Sequence, residues 1–566
     1  MPDASWCALP RAATVVALLL ILAFPAGAMG ADRSPLYDTE LVSRAAGGGF
    51  PNGPSRNAVI SQDARRARAI AFESDASNIV AGDANGMTDV FVIDRAGGGD
   101  TGSPWRGGPT RLASRGINGP ANGRSYAPAV DGDASSSGPL EETAPSCVAF
   151  ISEASNLVPG DTNGKPDAFV FVLKTGAVAR ISVGADGRQS DGATYDVAVD
   201  GDCERAAFTS DATNLTQAAQ PRPPAPAPRS AGDENHPNYR SAATDAPPPR
   251  VKQVYVKIMQ AKRPGDRGRV GLTFLASASD AGVPGDKDSY DPSWSLRTDQ
   301  VLAFTSAATN LDPGRDANGF ADVYVNAMTR SLDTSVRVVS VNASGQAGNG
   351  PSTEGAASDQ SCSVVFATQA TDILEGDDGP TSDIARADIR SFLRSKGVLR
   401  RDPDGCRKIA GTAASRADSV RVTPVARGNG PSTQPEAAGG GDYVVFASDA
   451  TGFPGVVPTL GDGNGVGDAF LWSGRRDVVR LQSAKASRYG INRQLALPST
   501  NPYPSQRINY ILFETRDPFA DQAFVEARKP EWLRNIGEVL GAARGIAAFN
   551  QVYMRYLGPK DAEAAR

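Results

Sequence analysis

Short apolar stretches separated by polar turns recur along this chain with one internal order. In residues 147–172, CVAFISEASNLVPGDTNGKPDAFVFV, Val148 and Phe150, then Phe169 and Phe171, alternate with their neighbours at period two, the periodicity of a strand. A loop rich in Asp, Asn and Gly joins the two strands. The same phrase returns at 69–93 (AIAFESDASNIVAGDANGMTDVFVI), at 302–325 (LAFTSAATNLDPGRDANGFADVYV) and, with extra residues inside it, at 443–471. Weaker copies lie at 206–215 with 254–256, at 364–384, and at 511–513 with 552–553. A phenylalanine marks every copy: Phe72, Phe150, Phe208, Phe304, Phe366, Phe446 and Phe513. Six residues after the first four stands Asn78, Asn156, Asn214 or Asn310; the fifth copy has Asp372 there. One such unit cannot bury its own faces, so the copies must pack on one another in an array. Seven copies predict an all-β chain folded as a β-propeller of seven four-stranded blades.

The order of the strands predicts how the ring closes. Residues 40–45 (ELVSRA) read as an isolated strand resembling those at 110–114, 179–183, 336–341 and 420–425, each of which ends a repeat as its strand D. The chain finishes on a strand C at 551–557. The N-terminal strand D is therefore expected to pair with the C-terminal strand C, which leaves no open sheet edge. The D-to-A and B-to-C loops then emerge on one face. The D-to-A loops carry Asn52-Gly53-Pro54-Ser55, Asn118-Gly119-Pro120, Asn349-Gly350-Pro351-Ser352 and Asn429-Gly430-Pro431-Ser432. Two insertions are expected on the same face: 217–250, rich in Pro and poor in apolar residues, and 516–549, where Trp532, Leu533, Ile536, Val539 and Leu540 have helical spacing.

Composition narrows the class. Of the 566 residues, 40% are hydrophobic and 21% charged, ordinary for a globular core, and 60 Gly with 41 Pro suit many tight turns. The formal net charge of −5 argues against nucleic acid as the main partner. Residues 1–31 read as a signal peptide: Arg11, an apolar run over 12–24, and Ala26-Gly27-Ala28 before the cleavage site. That run is short for a membrane span and no second one follows, so the expectation is a soluble, exported monomer, periplasmic or secreted, with residues 32–560 as a single propeller and 561–566 as a tail. Export permits disulfides among Cys147, Cys203, Cys362 and Cys406. Cys362 with Cys406, inside one repeat, is the favoured pair, with buried free thiols equally open. The basic stretch 386–408, with Arg390, Arg394, Lys396, Arg400, Arg401 and Arg407, reads as a solvated loop on the opposite face in preference to an anion site.

The sharpest polar pattern is Asp-x-Asn-Gly-x-x-Asp. It occurs as Asp83/Asn85/Asp89, Asp161/Asn163/Asp167, Asp316/Asn318/Asp322 and Asp462/Asn464/Asp468, with a degenerate copy at Asp377, Gly379 and Asp383. Alternating acids around a Gly turn are the oxygen-rich loops calcium takes, so calcium is the one cofactor the sequence suggests. The same residues also make Asx turns and cap the entry to strand C, which needs no ion. Catalysis finds little footing. His236 is the sole histidine, which excludes a His-based metal cluster, and no Gly-x-Ser-x-Gly elbow or phosphate-binding Gly loop is present. A carboxylate pair for glycoside chemistry is not excluded, because acids are abundant.

The phrases ASNLVPGDTNGKPDAFV (154–170) and ASNIVAGDANGMTDVFV (76–92), each preceded by an Ala-Phe strand, resemble the WD40-like repeats of TolB-type bacterial propellers. The resemblance covers nearly the whole chain after the signal, without the α/β domain that precedes the propeller in that family. It implies a periplasmic or secreted propeller whose usual role is protein binding. The expected function is thus a protein-interaction scaffold working through its loop-rich face, and not an enzyme. The alternatives are a calcium-binding structural or adhesive propeller, and a carbohydrate-active hydrolase or lyase using ring-face carboxylates. Trp532 and Tyr239 are candidate aromatic anchors.

Overall fold

Each repeat folds into a four-stranded antiparallel sheet in which sequence order is spatial order, strands A to D. The computed structural model describes residues 39–557 apart from 64–65, 98–104, 133–143, 217–249, 261–268, 297–299, 330–332, 378, 400–405, 407–418, 454–463, 475, 484–494, 518–519 and 521–548. The signal peptide, most of both insertions, His236, Tyr239, Trp532, Asp462 and the tail fall outside the described residues. All described residues belong to one compact unit, Leu36–Arg566.

Blade 1 consists of Ser55–Ile60, Ala69–Ser74, Asp89–Arg95 and Gly107–Leu112. Blade 2 is Ser125–Val130, Cys147–Ser152, Asp167–Val172 and Val178–Arg180. Blade 3 is Thr194–Val199, Arg205–Ser210, Gln253–Ile258 and Thr273–Leu275. Blade 4 is Ser289–Trp294, Val301–Ser306, Asp322–Met328 and Thr334–Val338. Blade 5 is Ser352–Ala357, Ser363–Thr368, Asp383–Asp388 and Arg421–Ala426. Blade 6 is Ser432–Ala438, Tyr443–Ser448, Asp468–Ser473 and Val478–Leu481. Blade 7 takes Ser499–Pro504, Tyr510–Thr515 and Gln551–Tyr556 as strands A to C, and Thr39–Leu41 from the other end of the chain as strand D. Thr39 pairs with Arg555 and Leu41 with Tyr553, so the ring closes as the two incomplete ends require.

The marker phenylalanine is the centre of each blade. It stacks on the aromatic opposite it on strand C in six of the seven: Phe72–Phe91, Phe150–Phe169, Phe208–Tyr255, Phe304–Tyr324, Phe446–Phe470 and Phe513–Tyr553, with ring centroids 5.6–6.0 Å apart. In blade 5, Phe366 faces Ala385 instead. Every residue of each strand B is buried, and the apolar clusters run from one blade into the next, so the blades share cores. The described cysteines form two disulfides. Cys362–Cys406 lies within blade 5, and Cys147–Cys203 ties blade 2 to the A–B turn of blade 3.

The asparagine six residues after the marker clasps the B-to-C loop to the D-to-A loop. Asn78 Oδ1 accepts the Asn52 N–H (3.0 Å), and Asn156 Oδ1 accepts the Asn122 N–H (3.0 Å). Asn214 and Asn310 accept from Asp191 (3.1 Å) and Asp286 (3.0 Å), and Asp372 accepts from Asn349 (2.9 Å). The next glycine completes the fit. A Cβ at Gly53 or Gly123 would lie 2.7–2.9 Å from the backbone of the opposing loop. In blade 2 the clasping pair is Asn122-Gly123. The upstream Asn118-Gly119-Pro120 belongs to a small hairpin pairing Arg115–Gly116 with Gly119–Pro120. Both loop sets thus share one face.

Two residues of the basic stretch, Arg386 and Arg390, depart from the expected solvated loop, whereas Arg394 is exposed. Arg386 sits on strand C of blade 5, donates to the Gly441 carbonyl and lies over the Trp472 ring. Arg390 opens a short helix, Arg390–Ser395, and is buried against Asp388 and the Cys406 carbonyl. Charge composition could not reveal that these side chains have internal partners.

Removing one clasp tests the repeat. Asn156 Nδ2 also donates to the Pro120 carbonyl (2.9 Å), so Asn156→Ala breaks two hydrogen bonds. The expected cost is about 1–3 kcal/mol, read as a lower urea midpoint; an unchanged midpoint would show that the clasp adds no stability.

Candidate functional site

Strand A of every blade begins with Ser or Thr and then breaks the strand rule at its third residue. Those third residues are Asn57, Ala127, Asp196, Asp291, Glu354, Gln434 and Asn501. In six blades the A–B register slips at this point, a β-bulge, and in blade 3 it slips one residue earlier, between Thr194 and Asp196. In six of the seven the residue is left-handed, with φ between 48° and 57°. A non-glycine side chain in that region carries a cost of order 1 kcal/mol, so strain is concentrated on one ring of positions.

The bulged N–H groups are received across the blade boundary. Asn57 N–H donates to Glu514 Oε1 (2.5 Å), Ala127 N–H to Glu73 Oε2 (2.8 Å), and Asp291 N–H to Asp196 Oδ2 (3.3 Å). Gln434 N–H donates to Glu354 Oε2 (2.6 Å), and Asn501 N–H to Gln434 Oε1 (2.9 Å). Each acceptor belongs to the blade before the donor, so the bulges lace the inner rim together.

The bulges surround a cavity of about 410 Å³ to which all seven strands A contribute. Its polar lining is Asn57, Asp196, Asp291, Ser293, Glu354, Gln434, Glu436, Asn501 and Tyr503; the lining holds no lysine or arginine. Asp196, Asp291, Glu354 and Glu436 share this lining, and two of them are pushed well up. Burial, then the charges of Asp196 and Glu354, push Asp291 up to about 7. Burial and then Glu354 push Glu436 up to about 8. On strand B beside the ring, burial takes Glu514 up to about 7 despite the hydrogen bonds from Asn501 and Asn57. Such groups change charge near neutral pH, a property that concentrates at functional sites.

The sequence reading missed this ring. The available signal was a proline inside a strand, as in Ala127-Pro128, Asp291-Pro292, Gln434-Pro435 and Asn501-Pro502, which marks a bulge.

The described Asp-x-Asn-Gly-x-x-Asp residues lie in the separate B-to-C loops of blades 1, 2, 4 and 6, and the Asn and final Asp of each set bond to one another. Asn85 Nδ2 donates to Asp89 (2.7 Å), Asn163 to Asp167 (2.9 Å), Asn318 to Asp322 (2.7 Å) and Asn464 to Asp468 (2.8 Å). The other oxygen of each final Asp accepts from a serine two residues past strand D: Ser114 (2.6 Å), Ser182 (2.6 Å), Ser340 (2.7 Å) and Ser483 (2.6 Å). Each Asn Oδ1 accepts the N–H two residues on, which is an Asx turn. The first Asp differs between blades. Asp161 pairs with Arg180 (3.1 Å), and Asp316 accepts from the Tyr324 hydroxyl. Asp83 is buried, and its Oδ1 has no hydrogen-bond partner.

No family model and no curated protein sequence matches the chain. Among solved structures it is similar to TolB from Acinetobacter baumannii at 13% identity and a TM-score of 0.31, over 69% of this chain and 58% of that one. It is similar to the β-propeller domain of the Trilobed protease from Pyrococcus furiosus at 8% identity and a TM-score of 0.38, over 82% of this chain and 90% of that one. It is similar to an oligogalacturonate lyase in complex with manganese at 10% identity and a TM-score of 0.40, over 93% and 96%. The chain therefore spans just over half the length of the TolB chain it matches.

The carboxylates set a direction for stability with pH. Glu436, Asp291 and Glu514 hold protons in the folded state that the unfolded chain releases near 4. Their contribution is complete below the unfolded values and is lost as pH rises through the folded ones. The melting midpoint is expected to fall between about pH 5 and about pH 8, and Glu436→Gln should flatten that slope. A midpoint that rises over this interval would contradict the reading.

Proposed function

We propose that this propeller is an exported binding scaffold whose acidic inner cavity receives a positively charged segment of a protein partner. The carrying observation is the cavity lined by all seven strands A, with four carboxylates and no basic side chain in its lining. A cationic side chain entering it would relieve the repulsion among Asp196, Asp291, Glu354 and Glu436, which is electrostatic complementarity in its simplest form. The rigid clasped loops around the same ring offer a preformed surface. Two disulfides and the signal-like residues 1–31 support an oxidising, extracytoplasmic location. The negative net charge speaks against nucleic acid as the partner.

A second reading has one observation in its favour. Asp291 at about 7 and Glu436 at about 8 have the proton affinity of a general acid working near neutral pH, which suits a carbohydrate-active hydrolase.

One variant separates the two. Asp291→Asn, Glu354→Gln and Glu436→Gln combined should retain the fold and lose a partner that wild type recovers from envelope extracts in low salt, by roughly tenfold or more. Recovery unaffected by the variant and by salt would overturn the scaffold proposal. Turnover of a polysaccharide panel by wild type, abolished in the same variant, would favour the second reading. Intact mass of the exported protein should show residues through about 31 removed.

A further inference from the structure

Across the B-to-C loops one carboxylate recurs at the same place, and its surroundings are not the same. In blade 2, Phe169 on strand C lies opposite Arg180 on strand D, and Arg180 neutralises Asp161 at 3.1 Å. In blade 4, Tyr324 occupies the place of Phe169, and its hydroxyl bonds Asp316. In blade 1 both places are apolar: Phe91 replaces the tyrosine and Leu112, opposite it, replaces the arginine. Asp83 is nevertheless 6% exposed, with Oδ1 bonded to nothing. Its carboxylate takes the Asn85 backbone N–H and feels the charge of Asp89. A buried, unpaired carboxylate beside a second one is costly unless something from outside supplies positive charge.

We propose that the blade 1 loop binds a calcium ion through Asp83, with Asp89 completing the charge, in the place that Arg180 fills in blade 2. The donors are all oxygen, which selects a hard cation over zinc or copper. Asp83 Oδ1 is free. The Asp89 oxygens each accept one hydrogen bond, from Asn85 and from Ser114, and each keeps a second lone pair. Two carboxylates fall short of calcium's six to eight oxygens, so water must supply much of the shell, and the affinity belongs in the weak extracellular range of about 0.1–1 mM. Blade 5 is a poorer candidate, because Asp377 is less buried and Gly379 stands where the asparagine would be.

The test is calcium binding to the full mature chain by equilibrium dialysis, alongside melting with and without excess chelator. Wild type should bind with a Kd of about 0.1–1 mM and melt at a higher, chelator-reversible midpoint. Asp83→Asn should lose one equivalent of calcium, whereas Asp161→Asn should keep it. Leu112→Arg, which places a guanidinium where blade 2 has one, should also lose that equivalent while raising the midpoint in chelator; it covers the case in which Asp83→Asn fails to fold. Absence of binding up to about 10 mM, or undiminished binding in both Asp83→Asn and Leu112→Arg, would overturn the proposal.

Discussion

The structure depends on one strand pairing. Blade 7 is built from the two ends of the chain, and Thr39–Leu41 is hydrogen-bonded to Gln551–Tyr556 across more than five hundred residues. Without it, strand C of blade 7 would present an open edge, and blades 1 and 7 would be held by packing and by side-chain hydrogen bonds such as that from the Asn57 N–H to Glu514. Ser43 Oγ donates to Gln551 Oε1 (2.9 Å), and Gln551 Nε2 donates to the Gly53 carbonyl (2.9 Å), so the closing strand, the last strand and the first D-to-A loop form one network. Because the apolar clusters run between blades, closure sets the packing of the whole ring.

Within that ring the repeat spends its polar residues on geometry. Serines at the start of strand A face serines or threonines at the end of strand B, as in Ser55–Ser74 and Ser352–Thr368, each at 2.9 Å. Asparagines join neighbouring loops, and aspartates at the entry to strand C accept from an asparagine and a serine together. Short hydroxyl and amide side chains suit this work, because they satisfy buried backbone groups without adding volume. The same chemistry is what an ion site needs. A loop carboxylate becomes interesting where its internal partner is missing, as at Asp83, and is explained where Arg180 or Tyr324 is present.

The inner ring follows a different economy. Five of the six left-handed bulges have their N–H received by a side chain of the preceding blade, and four of those five acceptors are carboxylates. Negative charge is thereby gathered where the seven strands A converge. Shared enclosure, more than any one neighbour, is what raises the proton affinity of Asp291 and Glu436. A site of this kind is suited to recognising positive charge and to responding to pH.

By itself the sequence determined the all-β class, the number of blades, the A-to-D order and the closing of the ring, because period-two alternation and a repeated phenylalanine are local properties with a single packing solution. It determined the sharing of one face by the two loop sets for the same reason. It determined the residues of the Asp-x-Asn-Gly-x-x-Asp loops but not their bonding, since turn and ligand chemistry use the same side chains. Only the tertiary structure decided the rest. That Asn57, Asp196, Asp291, Glu354 and Glu436 surround one cavity depends on seven strands, each dozens of residues from the next, converging on one axis. That Arg386 and Arg390 are buried depends on Gly441, Asp388 and Cys406. That Asp83 has no cationic partner while Asp161 has Arg180 depends on which residue of strand D lies opposite strand C. Proximity across blades has no local periodicity, so it becomes visible only when the ring is closed.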